Sequence, residues 1–164
     1  MVWSHLGRPF EGIYDEKYSL SPVRNYLEVC LGRKIKLIRN WFEGLVNIYS
    51  PHTTCCVFQT ENELLHLVDV RFFLDKQVPY VKQPEGEHRN VKYLHDMISL
   101  REGVPVDEKI NGHSHIRSLF FNSSENIPIK YGKLRLGKWK NVFFVELDPM
   151  RERELIVTFL KGQN

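Results

Sequence analysis

The sequence predicts an α+β fold, mainly antiparallel sheet with two or three helices. Three observations carry this. From residue 126 onward, apolar residues alternate with polar ones or form short runs bounded by turn residues, which is the pattern of strands. Between Glu61 and Gln77 the apolar residues recur instead at helical spacing. Finally, the 164-residue chain contains no alanine, and its apolar set of Leu, Val, Ile and Phe leans toward strands over exposed helices.

Taken in order, residues 1–12 read as a loop punctuated by Gly and Pro. Residues 21–32 predict a helix, with Ser21 as cap, Pro22 in the first turn and Gly32 just past the end. Val23, Tyr26, Leu27 and Cys30 would share its inner face. Residues 34–38 suit a short strand. Leu45 to Ser50 predicts a strand stopped by Pro51, and residues 54–59 an extended segment. Glu61 to Gln77 is the strongest helix, since Leu64, Leu65, Val68, Phe72 and Phe73 fall on helical positions. Residues 79–109, polar and broken by Pro and Gly, predict a long loop, and such loops in small domains often carry function. A second helix is expected over 112–121. The β pattern from 126 runs through Ile127 and Ile129, a turn at Tyr131–Gly132, Leu134 and Leu136, then Val142–Leu147 and Leu155–Leu160. In sequence order this reads as a β-meander.

One domain fits the length. Hydrophobic residues at 42% and aromatics at 12% exclude dominant disorder. The net charge of +3 is concentrated in residues 1–40, and the rest of the chain is balanced. With the aromatics in apolar runs and not in a basic groove, nucleic acid is not an expected partner. No window reaches the ~20 apolar residues of a membrane span, so no membrane association is expected. Three cysteines, two of them adjacent as Cys55–Cys56, form no disulfide framework, and a cytoplasmic location is the expectation. In a strand, Cys55 and Cys56 would face opposite ways as small buried residues.

Seven histidines stand out. His52 follows Pro51 at a strand end, His95 sits in Tyr93-Leu94-His95-Asp96, and His113 and His115 sit in Asn111-Gly112-His113-Ser114-His115. Imidazoles brought from separate loops can bind a divalent metal or act as acid and base. Asp96, Glu61 and Asp69 could orient or replace such ligands. On a helix, His113 and His115 point about 200° apart, so His115 is the one chosen. Arg151 and Arg153 could clamp a phosphate or carboxylate. Against this, an isolated histidine is ordinarily a surface or core-edge residue, and no compact metal motif is present.

Residues 41–163 resemble the YjbQ family, also called the secondary thiamine-phosphate synthase family. The resemblance runs through His52-Thr53-Thr54, through Glu61-Asn62-Glu63 with Asp69, and through Tyr93-Leu94-His95-Asp96. It continues in Asn111–Ser118, in Gly132-Lys133-Leu134-Arg135-Leu136-Gly137-Lys138-Trp139, and in Glu146-Leu147-Asp148 with Arg151. Thr60, Lys140 and Pro149-Met150 depart from the family pattern. The resemblance implies a homotrimer and a thiamine-phosphate synthase activity joining a pyrimidine pyrophosphate to a thiazole phosphate. It assigns catalysis to His52, Glu61, Asp69 and His115, and binding of a small phosphorylated or anionic substrate to Asn111, Arg117, Trp139 and Arg151. A divalent metal would sit on His52, His95 and His115. The alternatives are a non-catalytic binding or interaction protein of the same fold, or a hybrid without activity. Dispersion of the three histidines would favour the first of these.

Residues 1–40 form a separate segment ahead of the 41–164 domain. Ser4-His5-Leu6-Gly7-Arg8-Pro9, Tyr14–Leu20 and Pro22-Val23 resemble the start of phosphoglycerate kinase, in which His5 and Arg8 would touch the phosphoglycerate. The nucleotide-binding half of that enzyme has no counterpart here, so kinase activity is not expected.

Overall fold

The run from Lys140 to Glu146 forms the central strand of its sheet because Val142 and Phe144 make one face apolar and Phe143 and Val145 the other. This computed structural model describes residues 19–22 (backbone only), 43–81, 92–105, 107–149 and 153–162. The strands are β1 (Ser19–Pro22), β2 (Gly44–Tyr49), β3 (Cys55–Glu61), β4 (Ser124–Lys130), β5 (Lys133–Leu134), β6 (Lys140–Glu146) and β7 (Ile156–Lys161). The helices are α1 (Leu64–Gln77) and α2 (Gly112–Ser118), with two single 3₁₀ turns at Leu94–Asp96 and Ile98–Leu100. The α+β class read from the sequence holds.

The strands form two antiparallel sheets, ordered β1-β6-β3 and β5-β4-β2-β7. Alternation along β3 and β6 divides the core in two. Cys55, Val57, Val142 and Phe144 join Val46, Ile48, Ile127 and Ile129 between the sheets. Cys56, Phe58, Phe143 and Val145 face the other way and pack with Leu67 and Leu74 of α1. The layers are therefore sheet, sheet, helix, with β3 and β6 buried on both faces. The stacked rings of Phe58, Phe121 and Phe143 fill the helical side. Cys55 and Cys56 face opposite cores, as their adjacency in a strand requires.

Three details differ from the sequence reading. The C-terminal strands do not form a meander: β6 pairs with β3 and β1, while β7 crosses to pair with β2. Among the described strands only the β4–β5 hairpin follows chain order, turning at Tyr131 (φ 51°) and Gly132 (φ 70°). Burial decided this, because β6 is apolar on both faces and belongs inside the stack, whereas β7 alternates and suits an edge. Glu61 ends β3 and does not open α1. The helix starts after Glu63, whose carboxylate accepts the amides of Leu65 (2.9 Å) and His66 (2.8 Å). Ser21 and Pro22, expected at a helix start, lie in β1 opposite Phe144 and Phe143. Proline is tolerated there because β1 is an edge strand. The remainder of the 21–32 helix, the 34–38 strand, Cys30, and the kinase-like His5 and Arg8 lie outside the described residues. No helix among the described residues is long and apolar enough to cross a membrane.

Candidate functional site

The antiparallel register of β3 on β6 sets Cys55 opposite Glu146 at one end and Glu61 opposite Lys140 at the other. At the Glu146 end three further segments converge: the turn 94–100, the start of α2, and residues 153–154. Polar side chains gather here, in a fold whose other buried positions are almost all apolar.

Glu146 is the hub. Its Oε1 accepts the Thr54 hydroxyl and the Asp148 amide, each at 3.0 Å. Its Oε2 accepts Arg153 Nε and the Cys55 thiol, the latter at 3.4 Å. Arg153 Nη2 also donates to Thr54 Oγ1 at 3.1 Å. Glu146 is 3% exposed and Asp148 only 1%. A carboxylate this deep is tolerated because four donors surround it. Burial first, and the Glu146 charge second, push the Cys55 thiol up to about 12, so it is no nucleophile at neutral pH.

Beside the hub, the Asp148 carboxylate accepts Asn111 Nδ2 at 3.2 Å. Asn111 Oδ1 is buried and accepts no hydrogen bond among the described residues. Ser114 Oγ donates to Leu147 O at 2.6 Å, locking α2 onto the end of β6. Asp96 Oδ1 takes the Gly112 amide at 2.7 Å, which ties the 94–96 turn to the first residue of α2. That tie brings two predicted residues together. The imidazoles of His95 and His115 lie 4.5 Å apart between centroids, tilted by 56°. Glu108 and Arg101 flank His95, with Arg101 Nη1 3.2 Å from Glu108 Oε1 and 3.4 Å from His95 Nε2. Burial, then the neighbouring His95, lowers the His115 pKa, with Asp148 and Glu108 pulling the other way.

His52 sits on the opposite flank. Its Nε2 accepts the Glu154 amide at 2.9 Å. Burial and the Arg153 charge lower its pKa. His95 and His115 touch, while His52 contacts the 153–154 segment that Arg153 joins to Glu146. The other residues selected from the sequence have different surroundings. Glu61 is exposed at the far end of β3, about 20 Å along the strand from Cys55. Asp69 is exposed on α1. Trp139 is 64% exposed with Lys138 Nζ 4.5 Å above its ring. Arg117, 1% exposed, donates from Nε to Val78 O and from Nη2 to Asp75 Oδ1, both at 2.8 Å, and so ties α2 to α1. Arg151 lies outside the described residues.

Among the described residues no three His, Cys, Asp or Glu side chains gather as a metal site. A bound divalent cation ordinarily takes at least three protein donors. His95 and His115 supply two within one chain, and the His52 Nε2 lone pair is already taken by Glu154. Among the described residues of one chain, then, the donors for a divalent metal do not come together.

The sequence motifs led to Glu146 and Asp148 only as part of a stretch, and not as site residues. Their signal was two acids within a strand-end run that is otherwise apolar, a placement that costs stability unless donors await them.

The family model for UPF0047 protein YjbQ-like matches residues 32–162. A UPF0047 protein of Archaeoglobus fulgidus is 33% identical over 118 residues, covering 72% of this chain and 79% of that protein. One from Methanothermobacter thermautotrophicus is 31% identical over 121 residues, 74% of this chain and 69% of that protein. In structure, a hypothetical protein of Aeropyrum pernix superposes with a TM-score of 0.68 at 25% identity, covering 91% of this chain and 92% of that one. A protein of the same family from Clostridium acetobutylicum gives 0.64 at 22% identity, covering 90% and 94%.

Proposed function

Because this chain belongs to the UPF0047 (YjbQ-like) family, we propose that it is a transferase of the thiamine-phosphate synthase kind. It would act on a small phosphorylated substrate held where α2, the 94–100 turn and the ends of β3 and β6 meet. The observation supporting this reading is the contact between His95 and His115, with Arg101 beside His95 and, on the other flank, Arg153 paired with the buried Glu146. Two adjacent imidazoles cannot both carry charge cheaply, so His115 stays neutral at physiological pH and offers both a lone pair and an N–H.

In the coupling itself, the thiazole nitrogen forms a bond to the pyrimidine methylene carbon. The carbon–oxygen bond to pyrophosphate breaks, and its electron pair leaves on the pyrophosphate. No proton transfer is needed. The work asked of the protein is orientation and hydrogen-bond donation to the departing anion. Arginine N–H groups and imidazole N–H groups are the donors this site provides. Glu61, Asp69 and Trp139 are exposed away from it in their own chain. Their participation requires the homotrimer, in which a neighbouring subunit would present them.

The test is direct. The purified chain, given a hydroxymethylpyrimidine pyrophosphate and a thiazole phosphate, should form thiamine phosphate. His52→Ala and His115→Ala should each lose about 100-fold or more. A folded protein with no turnover, or turnover indifferent to both substitutions, ends this reading.

A further inference from the structure

Residues 153–154 arrive at the site from a segment that crosses between the two sheets, and one contact there fixes the chemistry of His52. The Glu154 backbone N–H donates to His52 Nε2 at 2.9 Å. An amide donates only to a lone pair, so Nε2 carries no proton, and a neutral imidazole then holds its single proton on Nδ1. What holds the amide in place is the preceding residue. Arg153 Nε donates to Glu146 Oε2 and its Nη2 to Thr54 Oγ1 at 3.1 Å, while Thr54 Oγ1 donates to Glu146 Oε1 at 3.0 Å. Thr54, two residues after His52, is thereby fastened to the same carboxylate as the segment that caps the imidazole. Both partners of the His52–Glu154 contact are anchored on Glu146.

We propose that Glu146 and Arg153 are positioning residues that lock His52 in its Nδ1–H form, making it a neutral hydrogen-bond donor to a phosphoryl oxygen. In that form His52 is neither a metal ligand nor a general base, since its only lone pair is spent on the backbone. The donor role rests on the reading of the site as a phosphate-binding one, whereas the tautomer and its clamp do not.

The experiment uses the full chain, nitrogen-15 labelled at neutral pH, with two-bond proton–nitrogen spectra of the His52 ring and titration by inorganic pyrophosphate. The expected wild-type result is a protonated Nδ1 and a bare Nε2. Glu146→Gln releases Arg153 and should yield mainly the Nε2–H tautomer, with pyrophosphate bound up to about tenfold more weakly, the limit set by the loss of one charge-assisted hydrogen bond. Glu154→Pro removes the amide proton altogether and should do the same if Glu146→Gln fails to fold, while Glu154→Ala keeps it and should match wild type. A protonated Nε2 in the wild type overturns the tautomer. A wild-type ring pattern in Glu146→Gln overturns the clamp. Loss of the Nδ1–H form with unchanged pyrophosphate affinity overturns the donor role. Absence of pyrophosphate binding by the wild type removes the donor role together with the functional reading, and leaves the tautomer to be judged by the spectra alone.

Discussion

Gly112 is where the site's architecture is most exposed to a single methyl group. It opens α2 and lies against the 94–96 turn. A Cβ there would sit 2.7 Å from Tyr93 Cβ, 2.9 Å from Asp96 Oδ1 and 3.3 Å from His95 Cβ. Carbon pairs settle at about 3.5 Å or more, so turn and helix must part by roughly 0.8 Å. The Gly112–Asp96 hydrogen bond, 2.7 Å in the native chain, would be drawn out with them. Overpacking costs about 1–3 kcal/mol and the weakened bond to a carboxylate about 1 kcal/mol more. Alanine returns up to about 1 kcal/mol in helix propensity. Gly112→Ala should therefore lose about 2 kcal/mol, which for a domain of this size lowers Tm by about 4–8 °C. Urea unfolding measures it, as a lower midpoint with an unchanged slope. The His95 and His115 ring signals should shift as well, because the two rings are held by the elements being pushed apart. Gly103 is the control: its φ of 66° disfavours any side chain, yet no atom lies within 4 Å of its would-be Cβ. Gly103→Ala should cost about 1 kcal/mol from backbone strain alone and leave the rings untouched. Wild-type stability and unmoved ring signals in Gly112→Ala would refute the claim that this close approach sets the His95–His115 contact.

Two further outcomes follow from burial and charge. His52 and His115 both have pKa values below the ordinary 6.5 in the folded chain. The unfolded chain therefore takes up these protons first as pH falls. Stability should be greatest above 6.5 and should decline as pH drops from there through the lowered folded values. Urea midpoints across that window should show this slope, and His115→Gln should flatten it; equal slopes in the two proteins count against the His115 contribution. Arg117→Met should cost about 2 kcal/mol by thermal unfolding, since Val78 O loses a buried donor while the half-exposed Asp75 regains water. Arg117→Lys should recover only part of it, because one ammonium cannot serve both partners in the fork geometry. A fully stable Arg117→Met would show that the guanidinium is not what joins α2 to α1.

Local patterning made much of this protein legible from the sequence. The strand alternation at Ile127 and Ile129 and the two-sided run Val142–Leu147 each follow from a backbone period and the need to bury one face or both. The helix over Leu64–Gln77 was legible too, but its buried face is Leu67 and Leu74, while Leu64, Leu65, Phe72 and Phe73 are exposed. The opposite facing of Cys55 and Cys56 is dictated by the pleat. His95 and His115 were also visible as residues of the right type, though not as a touching pair.

Pairing partners were beyond local information. Nothing in β6 or β7 states that consecutive strands part into different sheets, or that Ser19–Pro22 closes the β6 edge. The register that follows places Glu61, which the sequence offered as a site acid, at one end of β3, and the His52–Glu146 cluster at the other. Tertiary structure also decided what the buried polar groups do. Glu146, Asp148 and Arg117 are ordinary charged letters in a sequence. Only when donors from Thr54, Arg153 and Asn111, or acceptors from Val78 and Asp75, arrive from distant segments can these charges be buried at all. The sequence determined which faces are apolar and which residues could do chemistry. The fold determined which of them meet, because long-range pairing is chosen by the summed burial of whole strands and not by any residue's neighbours along the chain.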